Sequence, residues 1–116
     1  MISAIIIDKS GSYNKISIPS DFDELDSFLS DILDCYTVVQ HYDDESGLCC
    51  FFDDSFYISS GTEEDYAKEE NTVAEKIMKN TCKIYGSAIF AKFIDSPNEN
   101  VRNITLLHTR ISDIPM

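Results

Sequence analysis

Residues 48–52 read Leu-Cys-Cys-Phe-Phe, five apolar side chains in a row. A strand with one solvent-exposed face alternates apolar and polar residues, whereas a strand covered on both faces can be apolar at every position. We therefore expect this segment to be a central, doubly covered strand. The preceding run 35–42 is rich in β-branched and aromatic residues, and the turn formers at 43–47 join the two segments into a hairpin.

Two further hairpins are predicted, one towards each end of the chain. Residues 2–7 and 13–18 have strand composition and flank a cluster of turn formers, and Pro19 ends the second strand because it donates no ladder hydrogen bond. Residues 84–94 and 101–109 are rich in Ile, Phe, Val and Leu and are separated by a polar segment. Short sequential hairpins of this kind favour an antiparallel sheet.

Two segments have helical rather than strand periodicity. Residues 20–34 place apolar side chains three and four positions apart, and residues 72–80 repeat this on a shorter scale with Asn71 or Thr72 as the N-cap. The apolar stripe of the first segment consists of Phe22, Leu25, Phe28, Leu29, Ile32 and Leu33.

The element order is therefore β-β-α-β-β-(β)-α-β-β, where the bracketed strand stands for residues 56–58. We predict that residues 1–116 form one α+β domain with a largely antiparallel sheet and two helices. The expected arrangement has two layers, with both helices on one side of the sheet.

The formal charge of -12 is unevenly distributed along the chain. Residues 21–75 hold 17 of the 21 carboxylates against one base, Lys68, which gives that segment a charge of -16. The remaining residues hold four acids and eight bases, which gives them +4. Such asymmetry bears on partners and solubility rather than on fold or chemistry.

Helix capping and turn formation account for part of this acidity, and two sets of carboxylates remain as candidates for binding a partner. One set lies on the first helix and the other in the polar loop 59–71. The helix set is Asp21, Asp23, Glu24, Asp26, Asp31 and Asp34, and the loop set is Glu63, Glu64, Asp65, Glu69 and Glu70. A rigid row of carboxylates can imitate a nucleic acid and occupy a basic groove, although acidity can also serve solubility alone.

An alternative is self-association into an assembly. Lys76, Lys79 and Lys83 form a basic ridge beside the second helix, which could meet the acidic centre of another copy. Contacts of this head-to-tail type generate rings or filaments.

A second alternative is a small hydrolase-like enzyme that uses His41 or His108. No nucleophile elbow or cysteine-protease signature surrounds the cysteines, so we expect no enzymatic activity. We expect free structural thiols, since Cys49 and Cys50 are adjacent and would point to opposite faces of a strand. The four cysteines are Cys35, Cys49, Cys50 and Cys82.

No metal, cofactor or direct nucleic-acid partner is expected. The acids at 43–45 and 53–54 could hold a weakly bound cation, but they lack the ligand spacing of an EF-hand loop. A strongly negative surface repels phosphates, which disfavours nucleic-acid binding. The first apolar run is too short for a signal peptide or membrane span, so we expect an intracellular, cytoplasmic protein with no membrane partner.

The block Asn71-x-x-Ala74, followed by Ile84-Tyr85-Gly86-Ser87-Ala88-Ile89-Phe90, resembles a small uncharacterised domain of bacteriophages and large DNA viruses. In that family a hairpin and a helix also precede an asparagine, an alanine and a hydrophobic-glycine-small-hydrophobic segment. Residues 1–33 look like its opening, whereas the acidic loop 59–71 departs from it. The resemblance implies a viral or mobile-element setting and brings no catalytic residues.

The function that the sequence favours is a non-enzymatic acidic binding module. We expect it to act as a viral inhibitor or nucleic-acid mimic that occupies a basic surface of a host or viral protein.

Overall fold

Two helices and six strands make up the part of the chain that the computed structural model describes, which is residues 1–35, 37–54, 67–96 and 103–115. They are β1 (Ile2–Ile7), β2 (Tyr13–Ile18), α1 (Phe22–Leu33), β3 (Val38–Asp43), β4 (Leu48–Asp53), α2 (Thr72–Ile77), β5 (Ala88–Asp95) and β6 (Ile104–Leu107). A short 3-10 turn, Ile111–Asp113, follows β6. The predicted α+β class and element order are confirmed, and the bracketed strand at 56–58 lies outside the described residues.

The strands form one antiparallel sheet in the order β2-β1-β5-β4-β3, with β6 also paired to β5. Lys92 of β5 lies opposite Leu48 of β4 on one side and opposite Leu107 of β6 on the other. β6 therefore shares a side of β5 with β1, and the two lie end to end. A hydrogen bond of 2.9 Å from the Thr109 N–H to the Ser3 carbonyl joins them.

β4 is buried along most of its length, which confirms the prediction of a doubly covered strand. Leu48, Cys50 and Phe52 belong to one core cluster, whereas Cys49 and Phe51 belong to another. Successive side chains of a strand point to opposite faces, so each face of the sheet has its own core.

The two helices lie on opposite faces of the sheet, which corrects the prediction of two layers with both helices on one side. Leu25 and Leu29 of α1 pack in one cluster, and Ala74 and Ile77 of α2 pack in the other. A strand such as 48–52 that is apolar on both faces needs a cover on each, and one helix supplies each cover.

The ends of α1 are fixed by two of its aspartates. Asp21 is the N-cap, and its side chain accepts a 3.0 Å hydrogen bond from the Asp23 N–H. Asp34 is the C-cap in the left-handed region at φ 51°. In the described part of the chain, no helix is long and apolar enough to cross a membrane.

Asn71 attaches α2 to the sheet through a fully buried side chain. Its oxygen accepts a hydrogen bond from the Ala74 N–H at 3.0 Å, and its amide nitrogen donates to the carbonyls of Ile7 at 3.0 Å and Gly86 at 2.9 Å. The Asn71 N–H donates to the Ile84 carbonyl at 2.7 Å. One residue thus caps the helix and ties it to the end of β1 and to the segment before β5.

Replacing Asn71 with alanine should destabilise the protein strongly. The change leaves the Ala74 N–H and the Ile7 and Gly86 carbonyls without their partners, and each unsatisfied buried group costs about 1–3 kcal/mol. We expect the free energy of unfolding to fall by about 3–5 kcal/mol in urea titrations.

The matched control is Asn14→Ala, which truncates an exposed asparagine of β2. A surface change of this kind should alter the free energy of unfolding by less than about 0.5 kcal/mol. Equal effects of the two variants would contradict the role given to Asn71.

Candidate functional site

The outer face of α1 is a surface of exposed carboxylates. Leu25 and Leu29 are fully buried on the inner side of the helix. The six acids predicted from the sequence are all exposed, namely Asp21, Asp23, Glu24, Asp26, Asp31 and Asp34. Their exposure agrees with the amphipathic pattern, and their binding to a partner stays a prediction.

Among the described residues, no lysine or arginine forms an ion pair with these helix carboxylates. α1 contains no lysine or arginine, and its last turn has no basic residue. Two of the six carry structural roles as caps, since Asp21 and Asp34 end the helix. The charges of the other four, Asp23, Glu24, Asp26 and Asp31, are therefore left for the solvent or a partner.

The acids described in the loop set are paired with lysines of the same molecule. Lys9 Nζ lies 2.6 Å from Glu69 Oε1, and Lys83 Nζ lies 2.8 Å from Glu70 Oε1. The fold therefore brings both loop acids to basic side chains. The other three predicted loop residues, Glu63, Glu64 and Asp65, lie outside the described residues.

The lysine ridge is partly neutralised in the same way. Lys79 Nζ lies 2.9 Å from Glu45 Oε2 and 3.2 Å from Asp43 Oδ2. Hydrogen bonds to these carboxylates raise the pKa of Lys79, and a hydrogen bond to Glu70 raises the pKa of Lys83. Lys76 is the one residue of the ridge that has no ion pair with a described residue. A metal cation bound by the acids of this turn would have to displace the Lys79 ammonium group.

Asp53 of β4 adds a carboxylate to the negative surface of α1. The sequence did not predict this, because Asp53 belongs to a run of turn-forming residues. Burial raises the pKa of the Cys35 thiol, and the charges of Asp53, Asp34 and Asp26 raise it further, to about 11. These three carboxylates therefore act together on one sulfur just beyond the end of α1. Asp53 at the end of β4 therefore lies near the same thiol as the carboxylates of α1.

Alkylation of Cys35 provides a test of this field. The thiolate is the reactive form, so removing a nearby negative charge should lower the pKa and speed the reaction. We expect Asp34→Asn to raise the iodoacetamide rate at pH 8.5 about two- to threefold. Asparagine suits the left-handed C-cap, so the helix end is preserved.

Peptide-resolved mass spectrometry would follow Cys35 separately from Cys82, which is also partly exposed. Asp31→Asn is the matched control, because Asp31 is not among the charges that act on Cys35. Equal rates for the Asp34 and Asp31 variants would rule out the local field as described.

The two histidines serve as hydrogen-bond partners within the fold. His41 Nε2 lies 2.9 Å from Thr81 Oγ1, and the Thr81 hydroxyl donates to the Met78 carbonyl at 2.7 Å. With its proton engaged, Thr81 accepts from His41, so Nε2 carries a hydrogen. His108 Nδ1 accepts the Ser3 N–H at 3.1 Å, which joins the end of β6 to β1.

The cysteines are free thiols, as predicted from the sequence. Cys50 lies opposite His41 across the β3 and β4 pair, but burial raises its pKa well above the ordinary value. Burial also raises the pKa of Cys49 and Cys82. In the described residues, no thiol forms a hydrogen bond with either imidazole, the contact that activates a cysteine nucleophile.

Glu75 is a buried carboxylate that the sequence did not single out. Its Oε2 accepts a 3.0 Å hydrogen bond from the Ile84 N–H, so it holds α2 to the segment before β5. It also lines a cavity of about 340 Å³ with Asn80, Thr81, Cys82 and Lys83. The contact with a backbone amide accounts for its burial.

Asp43 links the turn between β3 and β4 to Lys79. A hydrogen bond from Ser46 is the largest cause that lowers the pKa of Asp43, and the contact with Lys79 adds to it while burial opposes both. A carboxylate whose pKa is lower in the folded state stabilises the fold above its unfolded pKa. That contribution disappears as the pH falls through the folded pKa.

Asp43→Asn should therefore lower the urea midpoint at pH 7. The difference in urea midpoint between this variant and the wild type should narrow as the pH falls below about 4, where the Asp43 carboxyl of the unfolded chain becomes protonated. Urea titrations between pH 3 and pH 7 measure this, with the exposed Asp31→Asn as the control. A difference that is the same at every pH would contradict the assigned role of the charge.

Comparisons with family models, curated proteins and solved structures give no match for this chain. The resemblance to a viral domain therefore stays a prediction. Its positions Asn71, Ala74 and Gly86 form one hydrogen-bonded unit here, and Gly86 has φ of 75°, which favours glycine. A packing role accounts for this pattern within the chain.

Proposed function

We propose that this protein is a non-enzymatic binding module whose α1 surface occupies a basic site on a partner protein. The observation that supports this most is the contrast between two groups of acids. Glu45, Glu69 and Glu70 meet lysines of the same molecule, whereas the exposed carboxylates of α1 have no basic partner among the described residues. Unpaired surface charges of one sign raise association rates with a surface of the opposite sign.

The geometry of α1 suits a partner that normally binds nucleic acid. A helix rises 1.5 Å per residue, so the carboxylates from Asp21 to Asp34 span about 20 Å, or roughly one charge every 4 Å. A single nucleic-acid strand carries a charge every 3.4 Å or so. We infer that the partner is a host or viral protein with a basic nucleic-acid groove, which the module would block.

Self-association through the lysine ridge ranks second. Lys79 and Lys83 are held by carboxylates of their own chain, so a second copy would have to compete with these contacts. Particle size at two salt concentrations separates the alternatives, because only self-association gives larger particles in the isolated protein at low salt.

Neutralising the α1 surface should weaken partner binding. The variant Asp23→Asn, Glu24→Gln, Asp31→Asn removes three exposed charges and leaves both caps in place. We expect the affinity for proteins captured from a host extract to fall about tenfold or more, and wild-type complexes to elute early in a salt gradient.

The control variant Asn14→Lys, Ser17→Lys, Thr105→Lys changes the net charge by the same amount at exposed positions outside α1. It should retain most of the binding. Binding that survives high salt, or that is lost equally in both variants, would contradict a specific role for the α1 surface.

A further inference from the structure

A small cavity of about 250 Å³ opens beside strand β2, on the face of the sheet opposite to α1. Its lining consists of the buried Ile5 and of Tyr13, Lys15, Arg110 and Ile111. The lining therefore combines an apolar surface, an exposed aromatic ring and two cations.

Three separate parts of the chain build this cavity. In the β1 and β2 pair, Lys15 lies opposite Ile5, so the two side chains share one face of the sheet. Tyr13 lies two residues before Lys15 and projects from the same face. Arg110 and Ile111 come from the segment that follows β6.

The backbone that carries Arg110 is held in place by three hydrogen bonds. Thr109 is fully buried, and its N–H donates to the Ser3 carbonyl at 2.9 Å. Its hydroxyl oxygen accepts a 2.7 Å hydrogen bond from the Lys92 N–H. The Arg110 N–H donates to Asp113 Oδ2 at 2.8 Å. Binding would therefore order little more than the two long side chains.

The cations of the cavity are free of ion pairs with the described residues, unlike most lysines of this protein. Lys9, Lys79, Lys83 and Lys92 each lie within 4 Å of a carboxylate oxygen. The nearest acid on the same segment is Asp113, and its two oxygens face the Arg110 N–H and the Lys92 ammonium group. Two positive charges with no carboxylate partner among the described residues therefore lie beside an apolar surface, in a protein whose net charge is -12.

We propose that this cavity binds a small organic anion that carries its charge at one end of an apolar body. The charged group lies between Lys15 and Arg110, where the guanidinium fork can pair with a carboxylate or a phosphomonoester. The apolar body rests on Ile5, beside Tyr13 and Ile111. A cavity of this size is slightly smaller than most ligand pockets, so it fits a group the size of one substituted ring.

Titration with phenylacetate and with phenyl phosphate, followed by NMR of the isoleucine methyl groups, tests this site on the full chain. We expect saturable shifts at Ile5 and Ile111 with Kd of about 1 mM, the range of good single-ring ligands. The tighter of the two probes identifies the preferred anion. Benzyl alcohol and inorganic phosphate, which lack the charge and the ring respectively, should bind much more weakly.

Lys15→Gln and Arg110→Gln should each weaken the tighter probe about tenfold. Both side chains are exposed, so the fold should be retained. Lys76→Gln removes the same charge from an exposed position on α2, away from the cavity lining, and should leave Kd unchanged.

Three results would overturn the proposal. One is the absence of saturable shifts at Ile5 and Ile111 with either anion. The second is equal binding of benzyl alcohol or inorganic phosphate, and the third is an equal loss in the Lys76 variant. The lining contains no residue of α1, so none of the three results depends on the proposed partner.

Discussion

The central strands β4 and β5 are apolar on both of their faces, and neither face can be left in water. Phe51 and Ile89 face one core, and Cys50 and Phe90 face the other, all with little or no exposure. Two covers are therefore required. α1 covers one face with an amphipathic stripe of three turns, whereas α2 has only six residues and is too short to be stable by itself. Asn71 and Glu75 hydrogen-bond to the end of β1 and to the segment before β5. These bonds provide the stabilisation that a helix of six residues lacks.

This separation into two covers also separates the charges. On the α2 side, lysines and carboxylates from distant segments meet in pairs, so the surface is mixed. On the α1 side, the helix brings acids only, and Asp53 from the adjacent strand adds to them. The uneven charge of the sequence thus becomes a difference between two faces of one sheet.

Much of the fold follows from periodicity that can be read in the sequence. The hairpins, the two helices and the N-cap of α2 correspond to local signals such as turn residues, the 3.6-residue repeat and Asn71. The prediction that both helices cover the same face of the sheet was wrong. An amphipathic stripe indicates which side of a helix is buried, but it does not indicate which face of the sheet the helix covers. The run 48–52 held the missing information, since a strand apolar on both faces excludes a sheet with one bare face.

The candidate sites were less predictable, because charge pairing depends on tertiary neighbours. Glu69 meets Lys9 across 60 residues of sequence, and Asp53 joins the surface of α1 only through the sheet. The exposed acids of α1 could be predicted because they share one helix. The cavity could not, since Lys15 and Arg110 come from opposite ends of the chain.

The position of β5 in the sheet has a consequence for the order of folding. The pairs β1 with β2 and β3 with β4 are local hairpins. Within the described sheet β5 lies between them and joins them, with Ile5 opposite Phe90 and Phe51 opposite Ile89. During synthesis both hairpins emerge from the ribosome before β5, each with an apolar strand edge that lacks its neighbour. The sheet closes late and through contacts distant in sequence, so folding is slow for a chain of this length and prone to aggregation until β5 is in place.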